Sequence, residues 1–498
     1  MKPDSFLSRL AAFLREKEYT LTDLTVVLPS ERAGKYLAAA LSEVYGKPVF
    51  APEIVTMDRW IRSTVPFTVI DRTRMLLRLY EIHLQEDPHE EDRSFEAFMK
   101  WGAMLVSDFD EIDRYLVDPA AIFSNLKDIR EIEQWSFGEE ELTESQKRFL
   151  AFWERLPRYY QRLNESLSAK NQGSAGKAVA YVAKNPDVLF QENKNRRFVF
   201  AGFNALSGAE RAIIRQLHTM GRGEVLIDAD AWYYDNPNHE AGSFLRDLSK
   251  SLDGKKLGFI QDNLAQKEMH FRLIECAQRT GQAKAAASIL SDLSREELSE
   301  TLLLLADESL IESVIRNLPA SIGKANITLG LPIRNTIVRT WVDLLFSIQE
   351  NKRRFATQAL YFNDLQQFWN HPLLLAILNA EERAEISREE RRMIRQNRIF
   401  LKAEHIHVGE MTDALLGMLT LDWGQDWDKC LAQFKKANQF IYTRLGEAFT
   451  FERAALEGFD RAVTEFRNLV SEGFPEMSLR SFRQLFHQHW ANKNIAYH

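Results

Sequence analysis

The chain reads as an α/β protein: parallel sheet carried by strand–turn–helix units and interrupted by large all-helical insertions. Three observations predict this. Short apolar runs bounded by turn residues recur at Leu24–Leu28, Phe198–Ala201 and Glu224–Asp228, the signature of buried strands. Helical patterns stand between successive strands, which is how parallel strands are connected. Two long blocks, residues 71–189 and 341–498, instead space their apolar residues at helical intervals.

In order, Ser5 to Lys17 places Phe6, Leu10, Phe13 and Leu14 on one helical face. Leu24–Leu28 (LTVVL) is a buried strand. Pro29-Ser30-Glu31-Arg32 then turns into a helix over Ala33–Val44, with Ser30 as its N-cap and Glu31 in its first turn. Val49–Thr56 is a second strand, and Met57-Asp58-Arg59-Trp60-Ile61 opens another helix. From Asp71 to about Leu167 the segments MLLRLYEIHL, FEAFMKWGAMLVSDF, IFSNLKDI and RFLAFWERLPRYYQRL are helical, with Glu86–Asp92 (EDPHEED) as a solvated loop. Asn171–Gly176 reads as a flexible loop. Strands return at Phe198–Ala201, Glu224–Asp228 and His270–Glu275, with a helix over Gly208–Gly221 and another over Arg279–Leu293.

The stretch Thr301–Thr336 carries the sharpest expectation. Leu302–Leu305 reads as a fully covered strand that delivers Asp307 and Glu308 to the sheet's carboxyl edge, where open α/β sheets bind ligands. A helix stopped by Pro319 and a further strand follow. Beyond Ile337 the chain is helical. Its last residues, Ala491–His498, read as entry into another element, so the chain is expected to be a piece of something longer.

Composition narrows the classes. In 498 residues, 45% hydrophobic and 27% charged, there is core enough for two to four domains and no wholesale disorder. Two cysteines, Cys276 and Cys430, are too few for a disulfide framework, a zinc site or an iron–sulfur cluster. No run approaches 18 apolar residues, and the N-terminal segment lacks a signal-peptide core, so a cytoplasmic protein with no membrane partner is expected. A net charge of −7 confines any nucleic-acid contact to local patches.

No catalytic motif is intact. A phosphate-binding loop needs G-x-x-x-x-G-K-[ST]. Before Gly34-Lys35 the first glycine position is Pro29, which has no N–H, and the hydroxyl position is Tyr36. Gly173-Ser174-Ala175-Gly176-Lys177 has too few residues between its glycines and follows a helix. Asp307 and Glu308 resemble a metal-binding strand end, but without a phosphate loop they suit helix capping. Arg388, Arg391, Arg395 and Arg398 share one helical face, with Glu385, Glu389 and Glu390 interleaved, the pattern of a solvated, charge-laced helix. The histidine pairs His405/His407 and His487/His489 lack ligand-spaced partners.

Several strings in succession carry a resemblance: LTVVLPSERAGKYLAAAL, PEIVTMDRWI, WGAMLVSDFDEIDRYLVD, FVFAGFNALSGAE, EAGSFLRDL, LADESLIESVIRNLP and ANITLGLPIRNT. Their order is similar to that in an AddB-like family of helicase–exonuclease subunits from Bacteroidetes, which carry a carboxy-terminal PD-(D/E)XK nuclease domain. The resemblance covers essentially the whole chain. It implies two RecA-like domains of the superfamily 1 helicase type: a first in residues 1–70 and 190–265, with a helical insertion at 71–189, and a second beginning at 266–340, with an insertion at 341–498. It implies an inactivated helicase core in a DNA repair and recombination complex, holding single-stranded DNA or duplex ends beside an AddA-like motor subunit. The expected DNA-binding residues are Arg32, Asn204, Arg279, Thr280, Gln282, Thr328, Arg334 and Asn335, all polar groups at turns after strands or opening helices. Pro29, Lys35, Tyr36, Asp307 and Glu308 are degenerate NTPase-like positions. No cofactor is expected within these residues; Mg²⁺ and an iron–sulfur cluster would belong to the nuclease portion. Two other readings stand beside this one: an active ATPase using Asp307 and Glu308, and a module that binds only protein.

Overall fold

A computed structural model describes residues 5–86, 94–125, 144–254, 257–266, 268–491 and 493–495, with the side chains of 144–150 left aside. Most of the expected Glu86–Asp92 loop, the end of the IFSNLKDI helix and the last three residues lie outside that set. The chain is α/β and divides into two compact units, Met1–His270 and Phe271–His498.

The first unit is organised by a five-stranded parallel sheet. Helix α1 (Phe6–Glu16), capped by Ser5, precedes strand β1 (Leu24–Leu28), every residue of which is buried. Helix α2 (Glu31–Tyr45) starts where Ser30 Oγ accepts from the Ala33 N–H and ends at left-handed Gly46. Strand β2 (Glu53–Thr56) runs straight into α3 (Met57–Thr64), capped by Thr56. The helical segment that follows includes α4 (Arg72–Glu86), α5 (Gly102–Arg114), α6 (Glu144–Ala169) and α7 (Ala175–Lys184). The sheet resumes with β3 (Arg197–Ala201), α8 (Gly208–Thr219), β4 (Gly223–Asp230), α9 (Ser243–Ser251) and β5 (Gly258–Gln261). The strand order is β2-β1-β3-β4-β5, all parallel.

Alternation along β1 and β3 sorts their side chains onto two faces. Val27, Phe198 and Phe200 pack with Trp60, Val179 and Ile213 from α3, α7 and α8. Leu24, Val26, Leu28, Val199 and Ala201 pack with Leu10, Leu14, Leu37 and Leu41 from α1 and α2. A sheet covered on both faces needs uniformly apolar strands, which is why LTVVL and FVFA were legible. Strand β5 was not expected, because GFIQ is short and opens on glycine.

Residues 171–176 are ordered into the fold rather than forming a loose loop. Thr68–Val69 pairs in parallel with Gln172–Gly173, and α7 begins directly afterwards, capped by Ser174. The Gly176 N–H donates to Asp110 Oδ1 at 2.6 Å. The one feature here that looked like a phosphate loop is therefore occupied by the protein's own carboxylate.

The second unit has an aromatic helical core. Helices α12 (Ile337–Arg354), α13 (Trp427–Tyr442), α14 (Thr450–Ser471) and α15 (Leu479–Trp490) follow α10 (Arg279–Ser291) and α11 (Ile311–Asn317). Phe346, Phe434, Phe459, Phe466 and Phe486 make successive ring contacts at 5.1–6.0 Å, and Trp427 stacks on Phe482 at 4.2 Å. Much of the chain's phenylalanine content is spent here. On the arginine-rich helix, Arg388 pairs with Glu385 and Arg392 with Glu389.

Of the strands expected in this unit, only Leu331–Pro332 pairs among the described residues, antiparallel with Asn494–Ile495. Residues 270–276, 301–305 and 322–328 form neither helix nor strand, and Phe271 and Leu273 are 88% and 98% exposed, Leu302 and Leu304 84% and 82%. The expectation of a buried Leu302–Leu305 strand and of a His270–Glu275 strand is thus corrected. An apolar run favours burial, but it does not supply the neighbours that would bury it. Among the described residues, no neighbouring strand supplies their ladder hydrogen bonds. The helices between them do form, with α10 packed on α11.

Candidate functional site

The strand order of the first unit's sheet reverses between β1 and β3, since β2 lies on one side of β1 and β3, β4 and β5 on the other. At such a switch point the two chain exits diverge at the carboxyl edge and leave a crevice, the usual ligand position of an open parallel sheet. Here the exits are Pro29-Ser30-Glu31-Arg32 after β1 and Gly202-Phe203-Asn204 after β3. They lie side by side: a side chain at Gly202 would stand 3.9 Å from the Pro29 ring and 3.2 Å from Phe6, and Gly202 has φ +76°. Glycine is required there by both the left-handed backbone and the close approach.

Arg32 and Asn204 lie on these two exits, one on each. Arg32 is half-buried, with its guanidinium 5.7 Å from the centroid of the Tyr36 ring, and Tyr36 is 45% exposed. Asn204 is exposed. Pro29 occupies the first turn position, so the backbone offers no N–H there. Lys35 lies one turn into α2, exposed, and makes no ion pair among those found in the described residues.

Electrostatics divide the edge. On the β4–β5 side the protein supplies its own anions: Asp230 accepts from the N–H groups of Trp232, Asn263 and Leu264 at 2.9–3.1 Å, and Asp228 faces Arg9 at 3.5 Å. The start of α8 is closed by a capping box between Ser207 and Glu210. The β2–β1–β3 side carries Arg32, Lys35 and Arg59, with Glu31 as the nearby counter-charge, its carboxylate 4.0 Å from Arg59. Anion-binding capacity at this edge is therefore concentrated on one half.

The remaining expected residues fall in the second unit and are described there alone. Arg279 opens α10 and bonds both Asp307 and Ser309. Asp307 accepts from the Ser309 N–H at 3.0 Å, capping the turn that leads into α11. Glu308, Thr280 and Gln282 are exposed nearby, and Thr328 lies exposed in an unpaired extended stretch. Arg334 and Asn335 sit in the turn before α12, where the Arg334 N–H donates to the Ala491 carbonyl at 3.2 Å. Asp307 is thus engaged by a cation and a cap, not held open as a metal ligand.

Sequence reasoning passed over Thr56 and Arg59. Their signal was present: a hydroxyl residue between a strand and a helix caps that helix by accepting from the N–H three residues on, as Ser30 does for α2. No protein-family model matches the chain, and no curated protein matches it.

Proposed function

We propose that the chain is a non-catalytic, helicase-like scaffold that holds single-stranded DNA at the carboxyl edge of its parallel sheet and docks a motor subunit of a DNA repair complex. The observation that carries this reading is the strand-order switch between β1 and β3, with Arg32 and Asn204 on its two chain exits and Arg32, Lys35 and Arg59 on the β2–β1–β3 half of the edge. Phosphates placed there meet a guanidinium able to donate in a fork, and an exposed Tyr36 is placed to stack on a base. The absent phosphate loop and the engaged Asp307 argue against ATP hydrolysis by these residues. In this reading the first unit is a RecA-like domain with its helical insertion. In the same reading, the helices and unpaired segments of residues 271–340 correspond to the start of a second RecA-like domain.

The test is binding of a fluorescent single-stranded oligonucleotide across a salt series. Affinity that falls with salt, and weakens several-fold in Arg32→Ala regardless of base sequence, is the expected result. Absence of binding at low salt refutes it. A second reading, a module that binds protein only, is favoured by the exposed Phe271, Leu273, Leu302 and Leu304. Large apolar residues left exposed along two segments are the kind of surface a partner covers. Tight capture of a partner by a chain with no oligonucleotide affinity would select it.

A further inference from the structure

Between α2 and the β2–α3 junction lies a cleft of about 320 Å³, lined by Ser30, Glu31, Gly34, Lys35, Thr56 and Arg59 among others. It lies toward β2, whereas the strand-order switch lies between β1 and β3. Its depth comes from Gly34: a Cβ there would stand 3.0 Å from the Ile54 side chain, so the helix lies directly on the edge strand and the longer side chains rise around the gap. A glycine inside a helix is destabilising relative to alanine, and close packing is what offsets it.

The lining is rich in donors. Ser30 Oγ and Thr56 Oγ1 each accept from a helix N–H, of Ala33 and Arg59 respectively, which leaves each hydroxyl proton to be donated. Lys35 adds an ammonium group and Arg59 a guanidinium. The one charged acceptor is Glu31, 4.0 Å from Arg59, with both side chains more than 70% exposed. A pair so exposed contributes little and yields readily to a competing anion. Two hydroxyls and two cations around a small cleft complement a group with several acceptor oxygens and about two negative charges, which describes a phosphate monoester.

We propose that this cleft binds a phosphate monoester, with Lys35 and Arg59 as its cationic ligands and Ser30 and Thr56 as hydroxyl donors. The volume, at the lower end of the roughly 300–1,000 Å³ range of ligand pockets, admits the phosphate and little beyond one sugar. Free nucleotide and the phosphorylated end of a DNA strand share this chemistry. The inference does not require the DNA-holding reading to hold.

The experiment uses the full chain with three probes: inorganic phosphate, a nucleoside 5′-monophosphate, and a labelled oligothymidine bearing either a 5′-phosphate or a 5′-hydroxyl. Direct binding of the first two is followed by calorimetry, and of the oligonucleotides by anisotropy. At least one phosphomonoester is expected to bind, with affinity reduced about tenfold or more in Lys35→Ala and Arg59→Ala and increased in Glu31→Gln. A preference for the 5′-phosphorylated strand assigns the source to DNA ends; binding of phosphate and mononucleotide without that preference assigns it to free nucleotide. If no probe shows a phosphomonoester-dependent interaction at millimolar concentration, or if binding survives both alanine variants unchanged, the proposal is overturned. Oligonucleotide binding that depends on Arg32 but ignores the terminal phosphate would overturn this inference alone and leave the crevice reading standing.

Discussion

His371 gives the second unit a built-in acid sensitivity. The imidazole is buried beside Trp341, with ring centroids 5.2 Å apart. Nδ1 accepts from the Leu373 N–H at 3.3 Å, capping the turn Pro372–Leu375, and Nε2 lies 3.0 Å from Thr340 Oγ1. Thr340 donates its own proton to the Ile337 carbonyl, so Nε2 carries the hydrogen and Nδ1 the lone pair. Protonation would remove that lone pair and place a charge among apolar side chains. Burial accordingly pulls the pKa from 6.5 to about 4. Because the folded value lies below the unfolded one, the unfolded chain binds more protons between them. The contribution is complete above about pH 6.5 and is lost as pH falls toward 4. At about 1.4 kcal/mol per pH unit, the full loss is on the order of 3 kcal/mol. The assay is urea denaturation at pH 7.5, 6, 5 and 4.5 for the native chain and for His371→Asn. Asparagine retains a capping acceptor but does not titrate, so its packing loss is a constant offset and the pH-dependent difference isolates the imidazole. The stability gap between the two chains should narrow by about 2 kcal/mol from pH 7.5 to pH 4.5. Parallel pH profiles would refute the reasoning.

Other perturbations test other parts of the structure. Gly176→Ala would drive a methyl group into the Asp110 backbone carbonyl and should destabilise the first unit by about 1–3 kcal/mol, read by thermal melting; an unchanged melting temperature would contradict the α5–α7 contact. Phe486→Ala, in the aromatic core of α15, should cost about 3–5 kcal/mol by urea denaturation, whereas a loss below 1 kcal/mol would mean the core is not packed as described. Leu302→Ser and Leu304→Ser should leave the isolated chain within about 0.5 kcal/mol of the parent, because both leucines are exposed; a loss above 2 kcal/mol would show that Leu302–Leu305 is a buried strand after all. Tyr160→Phe removes the hydroxyl that donates to Asp113 at 2.7 Å. Burial already raises the Asp113 pKa against the lowering effect of that bond, so the variant should raise it further and cost about 1–3 kcal/mol at neutral pH. Carboxyl titration by NMR measures the first effect.

Some of this protein was written locally. LTVVL followed by Pro-Ser-Glu-Arg determined a buried strand, a capped helix and the placement of Arg32 at a sheet edge, because strand burial, N-capping and turn chemistry act over a few residues. The same holds for FVFAG and for Asn204 just beyond it. Tertiary structure decided the rest. Which strands adjoin, and hence that the exits of β1 and β3 form one crevice, depends on strand order, which no short string encodes. That Gly176 receives Asp110, 66 residues away, and that Arg59 and Lys35 rim one cleft, are consequences of long-range packing. Four leucines in succession specify a covered segment, yet whether Leu302–Leu305 is covered depends on neighbours the local sequence does not name. Hydrophobic pattern carries the demand for burial; only the assembled chain shows whether that demand is met.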